Sequence, residues 1–342
     1  MVARRNHLHR RESSNEGVAL TNLGISDHLM TNPACPITGD PAIRHVQSVT
    51  TGLLIDLWRY TPLYRVDARS SFKDLEKLDL WESPTGLYFF EPRPEGDHAF
   101  YATIYKNIGK SKRWSSKRKG WRREFDVAAR YVMPHDRVLD VGCAFAGFRD
   151  MIPQARYTGL DPNFADEDPL GQVLDESLGD HVAKAAGAYD VVCAFQVVEH
   201  LADPLTFYKE LVLAAKPGGL IVVGVPQARS AVTRIPNWLV NAPPHHLTWW
   251  TRDALMELAR RGGSEPELIE EMRWSSFDSL SYWIERCSPV KATNRHYKGD
   301  WWWHGASVVS WAGGLIANKL FPVPKGRPGD CGNLLMVARK AG

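Results

Sequence analysis

VLDVGCAFAGF, from Val138 to Phe148, is the stretch that decides the fold. An apolar run that carries an acid, Asp140, enters a turn of small residues at Gly142, an order typical of the first strand of a doubly wound α/β sheet. A second apolar run, YTGL, leads to Asp161, twenty-one residues after Asp140. Because parallel strands bring their carboxyl ends to one edge of a sheet, the two carboxylates should lie together, which predicts a nucleoside pocket.

The turn itself indicates which nucleoside ligand is favoured. GCAFAG, from Gly142 to Gly147, lacks the GxGxxG spacing that lets a dinucleotide pyrophosphate approach the backbone. A glycine still allows close approach, and a helix after the turn would offer free N–H groups to a carboxylate. The turn therefore favours a nucleoside that carries a carboxylate over a nicotinamide dinucleotide.

Downstream motifs continue the alternation of strands and helices. YDVVCAFQVVEHL, from Tyr189 to Leu201, predicts a buried strand and a loop, followed by a helix that ends at Lys216–Gly219 and a further strand, LIVVGVP. ELIEEMRW (Glu267–Trp274) and NLLMVARK (Asn333–Lys340) are predicted to be the last two strands, paired as an antiparallel hairpin. Such βα alternation predicts a parallel sheet with right-handed crossovers.

This order of motifs resembles the class I S-adenosylmethionine-dependent methyltransferases, over roughly Arg130 to Trp274 and the strand near Leu334–Ala338. PPHHLTWWTRDAL, from Pro243 to Leu255, resembles the Methyltransf_23-like branch of that family. The resemblance implies an α/β fold: a doubly wound, seven-stranded, mostly parallel Rossmann-like sheet. It also implies S-adenosyl-L-methionine as methyl donor and S-adenosyl-L-homocysteine as product.

The resemblance assigns parts of the donor to particular residues. Asp140 and the turn should hold the methionine end, Asp161 should hold the ribose, and Asp175 is a candidate partner of the adenine amino group. The predicted cofactor-binding residues are Asp140, Gly142, Cys143, Ala144, Phe145, Asp161, Pro162, Asp175, Phe195 and Gln196.

Three histidines are candidates for catalysis. His246 matches the His-Leu-aromatic pattern of the branch, and His245 and His200 are weaker candidates. A histidine at the carboxyl edge of the sheet could accept a proton. Alternatively, His200 forms part of a pocket wall and His246 only orders its loop. Methyl transfer from a sulfonium needs a base only when the acceptor is an alcohol or a carbon acid.

The N-terminal segment resembles a degenerate zinc ribbon. Members of this branch often carry a ribbon with two Cys-x-x-Cys knuckles, whereas here Cys35 is the single cysteine of the first and WESPTGLYFF (Trp81–Phe90) has none. Tetrahedral zinc needs about four nitrogen or sulfur ligands. We therefore expect no metal.

The sequence divides into five parts. Residues 1–30 are expected to be a disordered tail, and residues 31–100 a small β-rich module. Residues 101–131, with a helix from about Trp121 to Tyr131, should cap the cofactor site. The core comprises 132–274 and 331–342, interrupted by a Trp-rich insertion at 275–330.

Composition is that of an intracellular globular enzyme. The chain has 342 residues, of which 44% are hydrophobic and 24% charged. Five cysteines are odd in number and unpatterned, so disulfides are not expected. The N-terminus lacks the apolar region of a signal peptide, which predicts a cytoplasmic location.

Two segments suggest other partners. Residues 110–123 carry eight basic side chains with interleaved tryptophans, which could follow a nucleic acid, but a net charge of +3 and a pI near 8.5 argue against a dedicated binder. Residues 301–321 could lie on a membrane surface, although packing on the core or in a homodimer is favoured. Within this segment the stretch Ala306–Phe321, of roughly 16 residues, is shorter than the 20 or so needed to span a bilayer.

The sequence thus favours a methyltransferase acting on a small-molecule or glycan-type acceptor, such as a sugar or secondary metabolite. An RNA methyltransferase that uses the basic segment is one alternative. A scaffold that binds S-adenosylmethionine without turnover is the other. Whether O, N or C is methylated stays open, since fold does not determine substrate.

Overall fold

The computed structural model describes residues 32–62, 64–109, 122–162, 168–321 and 332–342. The predicted tail at 1–30 and nearly all of the basic segment 110–123 lie outside these residues. The described part of the chain clusters as one compact unit.

Strands and helices alternate along most of the chain. The strands are β1 (Arg44–Thr50), β2 (Lys77–Glu82), β3 (Tyr88–Glu91), β4 (Arg137–Val141), β5 (Arg156–Leu160), β6 (Val173–Leu174), β7 (Tyr189–Phe195), β8 (Ala215–Pro226), β9 (Thr248–Trp249), β10 (Ser264–Glu271) and β11 (Asn333–Lys340). The helices are α1 (Thr51–Tyr60), α2 (His98–Gly109), α3 (Arg123–Ala128), α4 (Leu178–Ala185), α5 (Pro204–Ala214), α6 (Arg252–Gly262), α7 (Ser276–Cys287) and α8 (Trp301–Leu320).

Seven strands form the main sheet, in the order β10-β11-β8-β7-β4-β5-β6. Five of them pair in parallel, and β11 runs antiparallel to both β8 and β10. Residues of β7 from Val191 to Phe195 are all buried, because helices cover both faces of a parallel sheet. The predicted doubly wound, mostly parallel sheet and its terminal antiparallel hairpin are confirmed.

A second sheet is antiparallel, with the order β1-β2-β3-β9. Its last strand, β9, comes from the PPHHLTWW segment rather than from the N-terminal module, and pairs Tyr88 with Trp249 and Phe89 with Thr248. The indole of Trp58 in α1 donates a hydrogen bond to the carbonyl of Pro243 (2.8 Å). The N-terminal module therefore holds the loop that carries His245 and His246.

Two predicted boundaries are wrong. The helix expected to end at KPGG stops at Ala214, and Lys216–Gly219 already belong to β8. A side chain on Gly219 would meet the carbonyls of Lys216 and Asp190 at about 3 Å, so glycine lets the chain continue as an irregular strand there. The strand expected at 267–274 runs instead from Ser264 to Glu271, because its pairing with β11 begins at Ser264.

The predicted insertion folds as α7 and α8, which pack against each other. A side chain on Gly314 of α8 would lie about 2.5 Å from Ile284 of α7, so the two backbones are in close contact. The opposite side of α8 exposes apolar residues: Trp301, Trp302, Val308, Val309, Leu315, Ile316 and Leu320. Among the described helices, none has the length and apolarity needed to cross a membrane.

Candidate active site

Asp140 lies in the buried centre of the main sheet. It is 2% exposed, and its Oδ2 accepts a hydrogen bond from the hydroxyl of Tyr157 in β5 (2.9 Å). Burial raises the pKa of Asp140 to about 7, although the Tyr157 hydrogen bond acts in the opposite direction. A carboxyl in this state would ionise readily when a cationic group binds beside it.

Asp161, after β5, is joined to the turn after β4. Its Oδ2 accepts a hydrogen bond from the backbone N–H of Ala144 (2.9 Å), and its side chain is almost wholly buried. Gly142 has φ +68°, and a side chain there would come within 2.5 Å of Val197. The structure thus brings both carboxylates and the glycine turn together, as the spacing predicted.

The helix predicted after this turn does not form. Residues 142–148 make successive turns that lead into a short 3-10 turn at Arg149–Met151. Ala144 and Ala146 have φ of 46° and 52°, in the left-handed region, which a right-handed helix cannot include. A donor carboxylate would therefore meet turn backbone rather than the N-terminus of a regular helix.

The other predicted cofactor residues lie around this edge in different environments. Phe145 is 40% exposed, and Pro162 and Asp175 are also exposed after β5 and β6. Cys143 is half-buried, with a pKa raised by burial. The ring of Phe195 packs against Phe125 and Phe148 in the core, so its backbone, not its ring, reaches the edge.

Gln196 reveals a polar group that the sequence did not suggest. Its side chain donates to Glu124 of α3 (3.0 Å), and Asn333 of β11 donates to the same carboxyl oxygen (2.9 Å). Glu124 is 1% exposed, and burial raises its pKa. Nothing in WRREF marks this glutamate, because its partners come from distant parts of the chain.

The three candidate histidines meet at the carboxyl end of β7. His200 follows β7, whereas His245 and His246 belong to the loop before β9, yet one ligand atom of each lies within 4.8 Å of the others. The rings are 4.5 to 4.8 Å apart between centroids. Backbone bonds align the two loops, since the N–H of Leu247 donates to the carbonyl of Glu199 (2.8 Å).

Glu199 lies beneath this histidine cluster. Its side chain is fully buried, and neither carboxyl oxygen has a hydrogen-bond partner among the described residues. Its Oε1 is 3.8 Å from Nε2 of His200 and 4.0 Å from Nε2 of His246. Burial raises the pKa of Glu199 to about 8. A buried carboxyl without a partner is costly, and so favours binding of a proton or a cation.

Burial keeps the histidines neutral. It lowers the pKa of His200 to about 4, and it lowers those of His245 and His246 well below the ordinary value, with neighbouring histidines adding to the shift. Neutral imidazoles present lone pairs rather than positive charge. At neutral pH the cluster therefore presents unprotonated nitrogens that can bind a cation, whereas the lowered pKa values make each imidazole a weaker base than a free histidine.

Aromatic rings from the N-terminal module and from the cap segment pack against His245 of the cluster. Trp58, Phe100 and Tyr101 have ring centroids 5.9 to 6.5 Å from that of His245. The hydroxyl of Tyr101 also lies 3.4 Å from Nδ1 of His200. The predicted cap segment contributes Tyr101, whereas Trp58 in α1 has no sequence motif that would have marked it.

A cavity of about 420 Å³ lies beyond the end of β8, separate from these residues. Gln227, Arg229, Thr251 and Arg252 line it, together with the 83–86 turn. It contains neither Asp140 nor any residue of the histidine cluster. We therefore place the candidate active site by its chemistry, at the carboxyl ends of β4, β5 and β7.

Comparison with known proteins agrees with this fold. A family model, Methyltransf_23, described as a methyltransferase domain, matches residues 113–267. A ubiquinone biosynthesis O-methyltransferase of Cereibacter sphaeroides is 29% identical over 167 residues, which cover 42% of this chain and 66% of that protein. The Escherichia coli enzyme of the same name is 33% identical over 98 residues, covering 24% of this chain and 40% of that protein.

The chain thus spans between two fifths and two thirds of the length of these relatives. A solved structure from Thermotoga maritima, titled as an S-adenosylmethionine-dependent methyltransferase and possible histamine N-methyltransferase, is 16% identical, with a TM-score of 0.45. It covers 69% of this chain and 98% of its own. The match over residues 113–267, together with the seven-stranded sheet, shows that the chain contains an S-adenosylmethionine-dependent methyltransferase domain.

Proposed function

We propose that the protein transfers the methyl group of S-adenosylmethionine to a hydroxyl of a small-molecule acceptor, such as a sugar or a secondary metabolite. The observation that carries this proposal is the neutral histidine cluster above Glu199, one strand away from Asp140. A hydroxyl acceptor needs its proton removed, and this cluster offers lone pairs where the acceptor would lie.

The donor half of the site comprises Asp140, Asp161 and the turn at Gly142. Asp140 suits the positively charged amino group of the methionine end, because its pKa of about 7 leaves it ready to ionise. Asp161 suits the ribose hydroxyls, and its bond to Ala144 orients it. Pro162 and Asp175 would lie on the adenine side, since they follow β5 and β6.

Transfer of the methyl group is an in-line displacement. The acceptor oxygen forms a bond to the methyl carbon as the bond from carbon to sulfur breaks, which leaves S-adenosylhomocysteine as product. Holding the reacting atoms about 3 Å apart supplies much of the acceleration. His246, His245 and His200 are the candidate catalytic residues, because they provide the lone pairs near the acceptor.

The names of the matched relatives support oxygen as the accepting atom, since both are O-methyltransferases. The family model begins at residue 113, after the N-terminal module that packs on the cluster. We therefore assign the acceptor only as a small molecule with a hydroxyl, held beside Tyr101 and the histidines, with the buried Trp58 supporting their loop through its bond to Pro243.

The test is a labelling experiment. The full chain is incubated with S-adenosylmethionine labelled in its methyl group and with a metabolite extract, and products are analysed by mass spectrometry. A labelled small molecule that disappears with Asp161→Ala would support the proposal. Label in added RNA would favour the basic segment 110–123 as a binding surface, and no label in any pool would favour a non-catalytic scaffold.

We also propose a cytoplasmic location and a further contact through α8. Cys35, Cys143, Cys193 and Cys287 are all unpaired, as expected in a reducing compartment. The exposed apolar side of α8 supports association with a second copy or with a membrane surface. Analytical ultracentrifugation and vesicle cosedimentation distinguish these two outcomes.

A further inference from the structure

The histidine cluster has a geometry that proton transfer alone does not require. A single base would suffice for a hydroxyl acceptor, yet three imidazoles from two loops converge within 4.8 Å of one another. Among the described residues, these three side chains form a group of His, Cys, Asp or Glu residues close enough to share a metal ion. Cys35 is instead buried among apolar residues such as Ile37 and Leu87.

The hydrogen bonds of His200 orient its lone pair. Its Nδ1 lies in hydrogen-bond contact with the carbonyl of His245, and a carbonyl can only accept, so Nδ1 carries the hydrogen. Nε2 then presents a lone pair to Oε1 of Glu199, 3.8 Å away. An N–H bonded to a backbone carbonyl is the arrangement that fixes the tautomer of histidine ligands in metal sites.

Glu199 provides the second, independent observation. Both of its oxygens are buried without a hydrogen-bond partner among the described residues, and so is Nδ1 of His245. Oε1 of Glu199 therefore faces the lone pair of His200 Nε2 at 3.8 Å and lies 4.0 Å from Nε2 of His246. Two facing acceptors are unfavourable unless a proton or a metal ion lies between them, and three imidazoles around the carboxylate provide the further ligands that a metal ion needs.

We propose that Glu199, His200, His245 and His246 bind a divalent transition-metal ion, with Zn²⁺ as the best fit. Three imidazoles with one carboxylate match the nitrogen and oxygen ligands that zinc prefers, whereas Mg²⁺ and Ca²⁺ prefer oxygen ligands. Bonds of about 2.0 to 2.1 Å place tetrahedral ligands about 3.4 Å apart, so the side chains would close by roughly 1 Å. This proposal departs from our expectation of no metal in the chain, which rested on the missing cysteines of the degenerate ribbon.

The consequence for catalysis rests on the proposed function. A metal ion at this place would lower the pKa of an acceptor hydroxyl that displaces or joins its ligands, and so favour the alkoxide that attacks the methyl carbon. The histidines would then act as ligands rather than as individual bases, and the proton of the acceptor hydroxyl would pass to solvent water. Glu199 would balance part of the charge of the ion.

Binding is tested on the full chain without donor or acceptor. Protein stripped with a chelator is titrated with Zn²⁺ by calorimetry, and with Co²⁺ while its visible absorption is recorded. We expect one equivalent of either ion, a Co²⁺ spectrum typical of a four-coordinate site, and a rise in melting temperature with Zn²⁺. Glu199→Gln and His245→Ala should each weaken binding at least tenfold, whereas His45→Ala, at an exposed histidine, should not.

Each outcome is decisive. Failure of the wild-type chain to bind an equivalent of Zn²⁺ or Co²⁺ would overturn the site, as would unchanged affinity in both cluster variants. X-ray absorption of the Zn²⁺-loaded wild type adds a measurement that needs no variant, because histidine ligands give characteristic multiple-scattering features. A spectrum without histidine ligands would overturn the proposal even if methyl transfer were established.

Discussion

The donor half and the acceptor half of the candidate site are built in different ways. Asp140, Gly142 and Asp161 lie within 22 residues of one another, at the ends of two neighbouring strands. The acceptor half combines Trp58, Tyr101, Glu199 and the 243–246 loop, which are far apart in the chain. Donor binding is therefore a local property of strand spacing, whereas acceptor binding depends on how the N-terminal module packs on the core.

The acceptor half should be essential for turnover and dispensable for donor binding. We expect His246→Ala to lower turnover about 10²-fold or more, whether the imidazole accepts a proton or binds a metal ion. Affinity for S-adenosylhomocysteine should stay within a few-fold, because Asp140 and Asp161 belong to other strands. Turnover is measured with labelled donor, and affinity by calorimetry.

His246→Gln is the matched variant. Glutamine can retain a hydrogen bond that orders the loop, but it is neither a comparable base nor a comparable metal ligand. Its turnover should therefore remain low. A near wild-type rate in His246→Gln would show that His246 only orders its loop. It would also contradict the expectation that the acceptor half provides a side chain needed for turnover.

Substitutions in the donor half should instead weaken binding of the donor. We expect Asp161→Ala to weaken S-adenosylhomocysteine binding by about one to two orders of magnitude, since a hydrogen bond to a charged group contributes roughly 1.5 to 3 kcal/mol. The Ala144 N–H would also lose its acceptor. Calorimetry measures the change, and Asp161→Asn is the control, because an amide oxygen can still accept from Ala144.

If the negative charge of Asp161 provides most of the binding energy, Asp161→Asn should bind S-adenosylhomocysteine as weakly as Asp161→Ala. If the hydrogen bond from Ala144 provides most of it, Asp161→Asn should recover most of the wild-type affinity. Wild-type affinity in Asp161→Ala would mean that the donor binds elsewhere. That result would also contradict the assignment of the donor half to the carboxyl ends of β4 and β5.

This contrast explains what the sequence could predict. Six of the seven strands and the carboxylate pair follow from hydrophobic runs and short spacings, which are local information, whereas β6, with two residues, has no such run. The loss of the helix after Gly142 depends on two left-handed alanines, Ala144 and Ala146, whose backbone angles have no residue-level signal. Glu124 and Trp58 gain their roles only through partners distant in sequence.

The histidines combine a local sequence signal with a contact between distant parts of the chain. VVEHL and PPHHL marked His200, His245 and His246 individually as candidates. Their convergence could not be read from spacing, because about 45 residues separate His200 from the other two and the contact depends on the pairing of β9 with β3. The expectation of no metal came from missing cysteines, so it did not consider a site made by two loops.

Donor binding should depend on pH through Asp140. Its pKa of about 7 is above the ordinary carboxyl value, so the carboxyl is largely protonated at pH 6 and ionised at pH 8. Because the ionised form binds the cationic amino group, affinity for S-adenosylhomocysteine should fall about tenfold from pH 8 to pH 6. Asp140→Asn should bind more weakly at pH 8 and lose most of this dependence.

Isothermal titration at several pH values measures this effect. An equally steep pH profile in Asp140→Asn would assign the titration to another group. A flat wild-type profile would show that Asp140 does not change its protonation when the donor binds. Histidine-cluster variants should keep the wild-type profile, since their residues belong to the acceptor half.

The smallest expected effect concerns the backbone of the turn. Gly142→Ala should lower the free energy of unfolding by about 1 kcal/mol, because φ is +68° and the new methyl group would press on Val197. Ala144→Gly is the matched change, since Ala144 already has φ of 46° and glycine removes its strain while adding freedom to the unfolded chain. Ala144→Gly should therefore change the free energy of unfolding less than Gly142→Ala does.

Urea denaturation followed by circular dichroism compares the two variants. If Gly142→Ala unfolds at the wild-type urea midpoint, the turn tolerates a side chain at position 142. The donor half would then not depend on the backbone conformation that glycine allows there.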